Sequence, residues 1–245
     1  LARYGVDATH VVPVGGEART SLAVTETRAA GPQTVIYRND AADLHITEAQ
    51  VAGIDWTASA GLIVTGTALA TEPSRSATLS AMAAARRAGR TVAIDLDYRP
   101  YSWVSASEAA ATYQRAAELS DLVVGNDEEF DVMAGGAGGD ALARALARDG
   151  RTAIYKLGPE GSCTYCGDTA LRTGIFAVEA LKPMGAGDAF MAALTASLGG
   201  GQSLAQAVRR GSAAAAYVVS RKGCAPAMPT RDELDRFMEE HPSPP

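Results

Sequence analysis

The sequence predicts an α/β fold built on a mostly parallel sheet, and three observations point to it. From Gly61 onward, short apolar runs alternate with stretches of helical periodicity, the pattern of strand, crossover helix and strand. Each apolar run is four to six residues long, as expected of strands buried on both faces. The chain has 245 residues, of which 47% are hydrophobic and 20% charged, enough to bury a full core.

The elements follow in order. TSLAVTET and QTVIYR alternate apolar and polar residues on either side of the turn-rich RAAGP, so residues 20–38 predict a β-hairpin resembling a flap. LIVTG at 62–66 predicts a strand, residues 74–87 a helix and TVAIDLD at 91–97 the next strand. A helix over 105–119, the strand DLVVG at 121–125, two short helices broken at GGAGG (135–139) and the strand TAIYK at 152–156 continue the alternation. The glycine cluster reads as a surface loop capped by Asp140. Residues 162–181 lack helical periodicity and predict antiparallel strands at one edge. A helix opening at Gly187 or Asp188, a second over 203–220 and an amphipathic third over 231–240 precede a frayed SPP tail. The expected organisation is a β-hairpin lid segment at 12–44 and a larger α/β domain at 45–245.

Composition narrows the function classes. A net charge of −6 with no lysine or arginine run leaves nothing to neutralise a nucleic-acid backbone, so no nucleic-acid partner is expected. No stretch approaches the ~18 apolar residues of a spanning helix, and the first residues lack the charged and apolar regions of a signal peptide. A cytoplasmic protein with no membrane partner is expected. Cys163, Cys166 and Cys224 are odd in number, which fits a reducing compartment. With His10, His45 and His241 scattered, the lone CxxC reads as two ordinary thiols on a β segment rather than a zinc site.

The sharpest motif is LKPMGAGDAF, residues 181–190. Gly185 and Gly187 permit a tight turn, and the helix that follows offers unpaired N–H groups and a positive dipole end to an anion. Asp188 at that opening can take a proton from a hydroxyl, or can simply cap the helix; the residues alone leave both readings open. No GxxxxGK[ST] and no GxGxxG after a strand competes for a phosphate. Asn126 and Glu129 in GNDEEF also have the spacing of a capping box.

Taken together, GAGDAF, the Asn-x-x-Glu of GNDEEF, the Gly-x-x-Gly of KLGPEG (156–161) and the upstream hairpin make the chain resemble the ribokinase-like, or PfkB, family of carbohydrate kinases. The resemblance covers nearly the whole chain. It implies a ribokinase-like three-layer sandwich with a small β lid, and ATP and Mg²⁺ as co-substrate and cofactor. Asp188 would be the catalytic base, and Gly185, Ala186 and Gly187 the anion hole. Asn126 and Glu129 would organise Mg²⁺ through its waters near the nucleotide phosphates, while Lys156, Gly158 and Gly161 would line the nucleotide. VIYRNDAADL (35–44), DLDYRPYSW (95–103), Lys182–Pro183 and RKGCAPAMPT (221–230) resemble most the branch that phosphorylates 5-dehydro-2-deoxygluconate in inositol catabolism, and less the 2-keto-3-deoxygluconate branch. A keto-acid substrate needs an arginine, for which Arg38 and Arg99 are the candidates. Many relatives have Asn where this chain has Asp97, so a phosphate contact there does not carry over. The family also opens with a strand and a Gly-Gly-x-x-Asn motif that have no counterpart here, so the N-terminal portion of the fold is expected to be missing. A non-catalytic sugar- or nucleotide-binding protein on the same fold is the alternative reading, and a homodimer through the lid is the expected assembly.

Overall fold

The structure is a computed structural model describing residues 1–26, 33–182 and 184–241. It divides into two compact units, Leu1–Gly139 and Asp140–Pro245.

In the first unit, β1 (Leu22–Glu26) and β2 (Gln33–Tyr37) form the expected antiparallel hairpin. Its turn, residues 28–32, lies outside the described residues. Leu22 faces Tyr37 and Val24 faces Val35, which puts all four side chains on one face, and all four are exposed. A short helix that the periodicity does not announce, α1 (Glu48–Ala52), begins with a capping box between Thr47 and Gln50. Its Val51 packs against Ala77 and Ala81 of α2 (Ser74–Arg87).

The parallel strands are β3 (Gly61–Thr65), β4 (Thr91–Asp95) and β5 (Leu122–Asn126), with β4 paired to both of the others. Val92, Ile94, Val123 and Val124 have no accessible surface, because both faces of β4 and β5 are covered. β3 departs from that expectation: it is the terminal strand of the ladder, and its Ile63 is 56% exposed. Helix α3 (Ala106–Glu118) turns Ala109, Tyr113 and Ala116 into the core, and Ser105 caps it by accepting from the Glu108 amide. Helix α4 (Asp127–Met133) follows β5 without a loop.

The glycine cluster corrects one expectation. Helix α5 (Gly139–Arg148) already includes Asp140 in its first turn, so Asp140 does not cap the loop. Asp131 of α4 does that work: its Oδ1 accepts from the amides of Gly138 and Gly139 at 3.0 and 2.7 Å. Asp140 bonds Arg144 Nε instead, at 2.8 Å, and accepts from the Tyr165 hydroxyl. Burial comes first and that bond second among the causes that push the Tyr165 phenol above its ordinary range.

In the second unit, β6 (Thr152–Lys156), β7 (Ser162–Cys166) and β8 (Thr169–Thr173) form an antiparallel meander. Regular pairing ends at Thr173, short of the predicted limit, although Phe176 beyond it is buried. Cys163 and Cys166, at odd separation on one strand, point to opposite faces and are free thiols, as is Cys224. Helices α6 (Ala186–Gly199), α7 (Leu204–Val219) and α8 (Arg231–Glu240) complete the unit. Its core is aromatic: Phe237 meets Tyr217 edge-on at 5.6 Å between centroids and Phe176 at 5.9 Å. Among the described residues, no helix is long and apolar enough to cross a membrane.

Candidate active site

The second unit carries the GAGD turn. Gly185 is the N-cap of α6 with φ of 87°, a left-handed conformation that a side chain would strain. A Cβ at this position would also press Val218 Cγ1 at 3.2 Å. The turn is tied to the end of α7, where the Val219 carbonyl accepts from the amides of Leu181 and Lys182 at 2.8 and 3.3 Å. The Lys182 ammonium donates to the Met184 carbonyl at 2.6 Å, a contact the motif did not announce. Pro183 lies outside the described residues. Ala189, Phe190 and Met191 are buried and anchor the first turns of the helix.

Helix α6 starts at Ala186, so Asp188 is its third residue and the capping position belongs to Gly185. The Asp188 carboxylate is exposed and bonds to no described residue. It therefore stands in the first turn of the helix, where the backbone N–H groups have no intrahelical partner. The predicted nucleotide loop is a tight turn after β6. Leu157 N donates to the Gly161 carbonyl at 2.7 Å, and residues 158–160 form one 3₁₀ turn. Gly161, at φ 86°, has room for no side chain, since a Cβ would lie 2.1 Å from the Thr173 carbonyl oxygen. Gly158 is exposed with open space around it, and Lys156 is half-buried at the strand end.

The first unit gathers the remaining candidates at the C-terminal ends of its parallel strands, the end where open α/β sheets bind ligands. Asn126 ends β5 and caps α4. Its Oδ1 accepts from Glu129 N at 2.8 Å and its own amide donates back to Glu129 Oε2 at 2.7 Å. Glu129 is only 6% exposed, and its Oε1 accepts from Tyr98 N at 3.1 Å. One carboxylate thus satisfies two backbone amides and ties the segment after β4 to the start of α4. Burial, followed by the charges of Glu129 and Asp97, pushes the Tyr113 phenol above its ordinary range. Among the described residues, no group of three or more His, Cys, Asp or Glu could cage a metal. A carboxylate clamped by amides suits holding a metal-bound water rather than the ion itself.

The two candidate arginines differ. Arg38 is 14% exposed and all three of its nitrogens donate inward: Nε to Asp43 at 3.1 Å, Nη2 also to Asp43, and Nη1 to the Thr67 carbonyl at 2.7 Å. Arg99 is 43% exposed; its Nη2 pairs with Asp97 at 2.5 Å and its Nη1 reaches the Tyr98 carbonyl at only 3.4 Å. Thr65 at the end of β3 adds a hydroxyl that donates to Asp97 Oδ2 at 3.3 Å and meets the Thr67 hydroxyl at 2.8 Å. Sequence reasoning missed Thr65 and Asp131, whose partners depend on the fold. Trp103 of the DYRPYSW segment is a core residue: it is 7% exposed and packs edge-on against Tyr113 at 5.2 Å.

A chain with a glycine-opened helix bearing an unbonded aspartate, on an α/β scaffold, has the parts of a phosphotransferase acting on an alcohol. The chain belongs to the pfkB family of carbohydrate kinases, whose model matches residues 1–231, and it is a sugar kinase of ribokinase-like fold. Kinases of this family use ATP. The chain is similar to a 5-dehydro-2-deoxygluconokinase of Photobacterium profundum, 43% identical over 98% of this chain and 74% of the relative. A protein of the same name from Bacillus subtilis is 36% identical over 98% of this chain and 75% of its own length. Among solved structures, a fructokinase from Vibrio cholerae O395 with fructose, ADP and calcium ion bound has a TM-score of 0.82 at 26% identity. It is matched over 97% of this chain and 79% of its own.

Proposed function

We propose that the chain transfers the γ-phosphate of ATP to the terminal hydroxyl of 5-dehydro-2-deoxygluconate, with Asp188 as the base. The observation that carries the mechanism is the exposed Asp188, bonded to no described residue, in the first turn of a helix opened by a left-handed glycine. Asp188 takes the hydroxyl proton as the oxygen attacks, and the amides of Gly185, Ala186 and Gly187 stabilise the charge on the transferred group. Lys156, Gly158 and Gly161 line the nucleotide. Magnesium, carried on the nucleotide phosphates, would neutralise their charge, with Asn126 and Glu129 holding its waters. The relatives' names support the keto-acid substrate, and Arg99, the less engaged of the two arginines, is the better placed to pair its carboxylate.

The same reading covers the apolar face of the hairpin with a second copy of the chain. The test is an ADP-release assay across 5-dehydro-2-deoxygluconate, 2-keto-3-deoxygluconate, fructose and ribose. The first is expected to have the highest kcat/KM. A preference for 2-keto-3-deoxygluconate moves the chain to the sister activity, and a preference for ribose or fructose rejects the sugar-acid substrate.

A further inference from the structure

We propose that Asp97 is the positioning residue that presents Arg99 to the anionic group of the substrate, and so sets the preference for sugar acids over neutral sugars. The inference rests on the sugar-acid reading above. Asp97 has φ of 38°, in the left-handed region that non-glycine residues seldom occupy, although Asp tolerates it better than most. That turn brings its carboxylate back toward the strand ends. There Oδ1 holds Arg99 Nη2 at 2.5 Å and Oδ2 accepts from the Thr65 hydroxyl at 3.3 Å, so the carboxylate is fixed from a second strand.

The residue between them is fixed as well, because Tyr98 N donates to the buried Glu129 carboxylate at 3.1 Å. Asp97, Tyr98 and Arg99 are therefore each held by a separate contact, while the Arg99 side chain stays 43% exposed. Arg99 Nε has no partner among the described residues. A guanidinium pinned through Nη2, held loosely by the Tyr98 carbonyl at Nη1 and open at Nε is preorganised for an oxyanion, since little side-chain freedom remains to be lost on binding. Arg38 provides the contrast: with every nitrogen engaged and 14% exposure, it braces the end of β2. The arrangement favours a carboxylate-bearing sugar, since a guanidinium–carboxylate pair is stronger than its hydrogen bond to a neutral hydroxyl.

The experiment uses Asp97→Asn, Asp97→Gly and Arg99→Ala in the full chain. Asn keeps the side-chain oxygen and the tolerance for positive φ but removes the charge, and Gly removes the side chain while relaxing the backbone. KM and kcat are measured for 5-dehydro-2-deoxygluconate and for fructose, with the KM for ATP and the thermal midpoint alongside. Asp97→Gly is expected to raise the KM for the sugar acid about tenfold, Asp97→Asn less, and Arg99→Ala at least as much as Gly. Fructose turnover, the KM for ATP and kcat are expected to change by less than about threefold.

Retention of the acid-to-fructose preference in both Asp97 variants overturns the inference, whatever Arg99→Ala does, while leaving the substrate reading intact. So does a loss that falls on ATP affinity, or on kcat alone, with the KM for the acid unchanged. A wild-type enzyme that prefers fructose removes the substrate reading itself and the inference with it.

Discussion

Asp188 illustrates how much one position in a helix determines. One turn earlier it would cap α6 and spend its oxygens on backbone amides; as the third helical residue, with Gly185 at the cap, it leaves its carboxylate unspent. Asp188→Asn keeps the volume and removes the base, so kcat is expected to fall about 100-fold or more with the KM for ATP within a few-fold. Steady-state kinetics by ADP release checks this, and near-normal turnover would reject Asp188 as the base. Gly161 differs in kind: the Thr173 carbonyl 2.1 Å from its absent Cβ makes it a packing requirement of β7 and β8 whatever it does for a nucleotide.

At the scale of elements, helix starts carry both stability and function. Glu129 completes the capping box of α4 and holds Tyr98 N, so it joins two segments that each bear candidate site residues. Glu129→Gln must turn an amide NH₂ toward one of those backbone donors. With the group buried, the loss is expected to be about 1–3 kcal/mol, read as a lower thermal midpoint. If Glu129 also orders metal waters, the Mg²⁺ concentration for half-maximal rate rises in the same variant; an unchanged Mg²⁺ titration would leave it a capping residue alone.

Helix α8 gives a pH signature. The Thr230 amide first, and its hydroxyl second, hold the Glu233 carboxyl below its ordinary range. A carboxylate with a depressed folded pKa contributes stability above its unfolded value and loses it as pH falls through the folded one. The difference in thermal midpoint between wild type and Glu233→Gln is therefore expected at neutral pH and should close in acid. A gap that persists with Glu233 protonated would assign the effect to packing.

At the scale of the molecule, the hairpin stands out because its apolar face has no cover from the described residues. Leu22, Val24, Val35 and Tyr37 are 57, 43, 50 and 58% exposed, yet their register puts them on one continuous face. Such a face is ordinarily buried by a partner. If the partner is a second copy, light scattering of the wild type gives a dimer, and Val24→Glu, which sets a charge in the middle of the face, gives a monomer with little change in thermal midpoint. A wild-type monomer would rule out the second copy.

What was legible in the sequence is what local chemistry controls. The alternation of apolar runs and helical periodicity located β4, β5, β6, α2 and α8 to within a residue or two, because side-chain period and backbone geometry are coupled along the chain. The capping box at Asn126 and Glu129 was legible for the same reason, its partners being three residues apart. The helix opening at GAGD followed from the conformational freedom of glycine, although α6 begins slightly earlier than the motif suggested. The folded structure decided the pairings that follow no helical or strand period. The loop amides at 138 and 139 went to Asp131 rather than Asp140, the Arg38 guanidinium was closed by Asp43 and the Thr67 carbonyl, and Thr65 was brought to Asp97 across two strands. No side-chain period records such contacts, and that between Thr65 and Asp97 exists only once parallel strands set their C-terminal ends side by side.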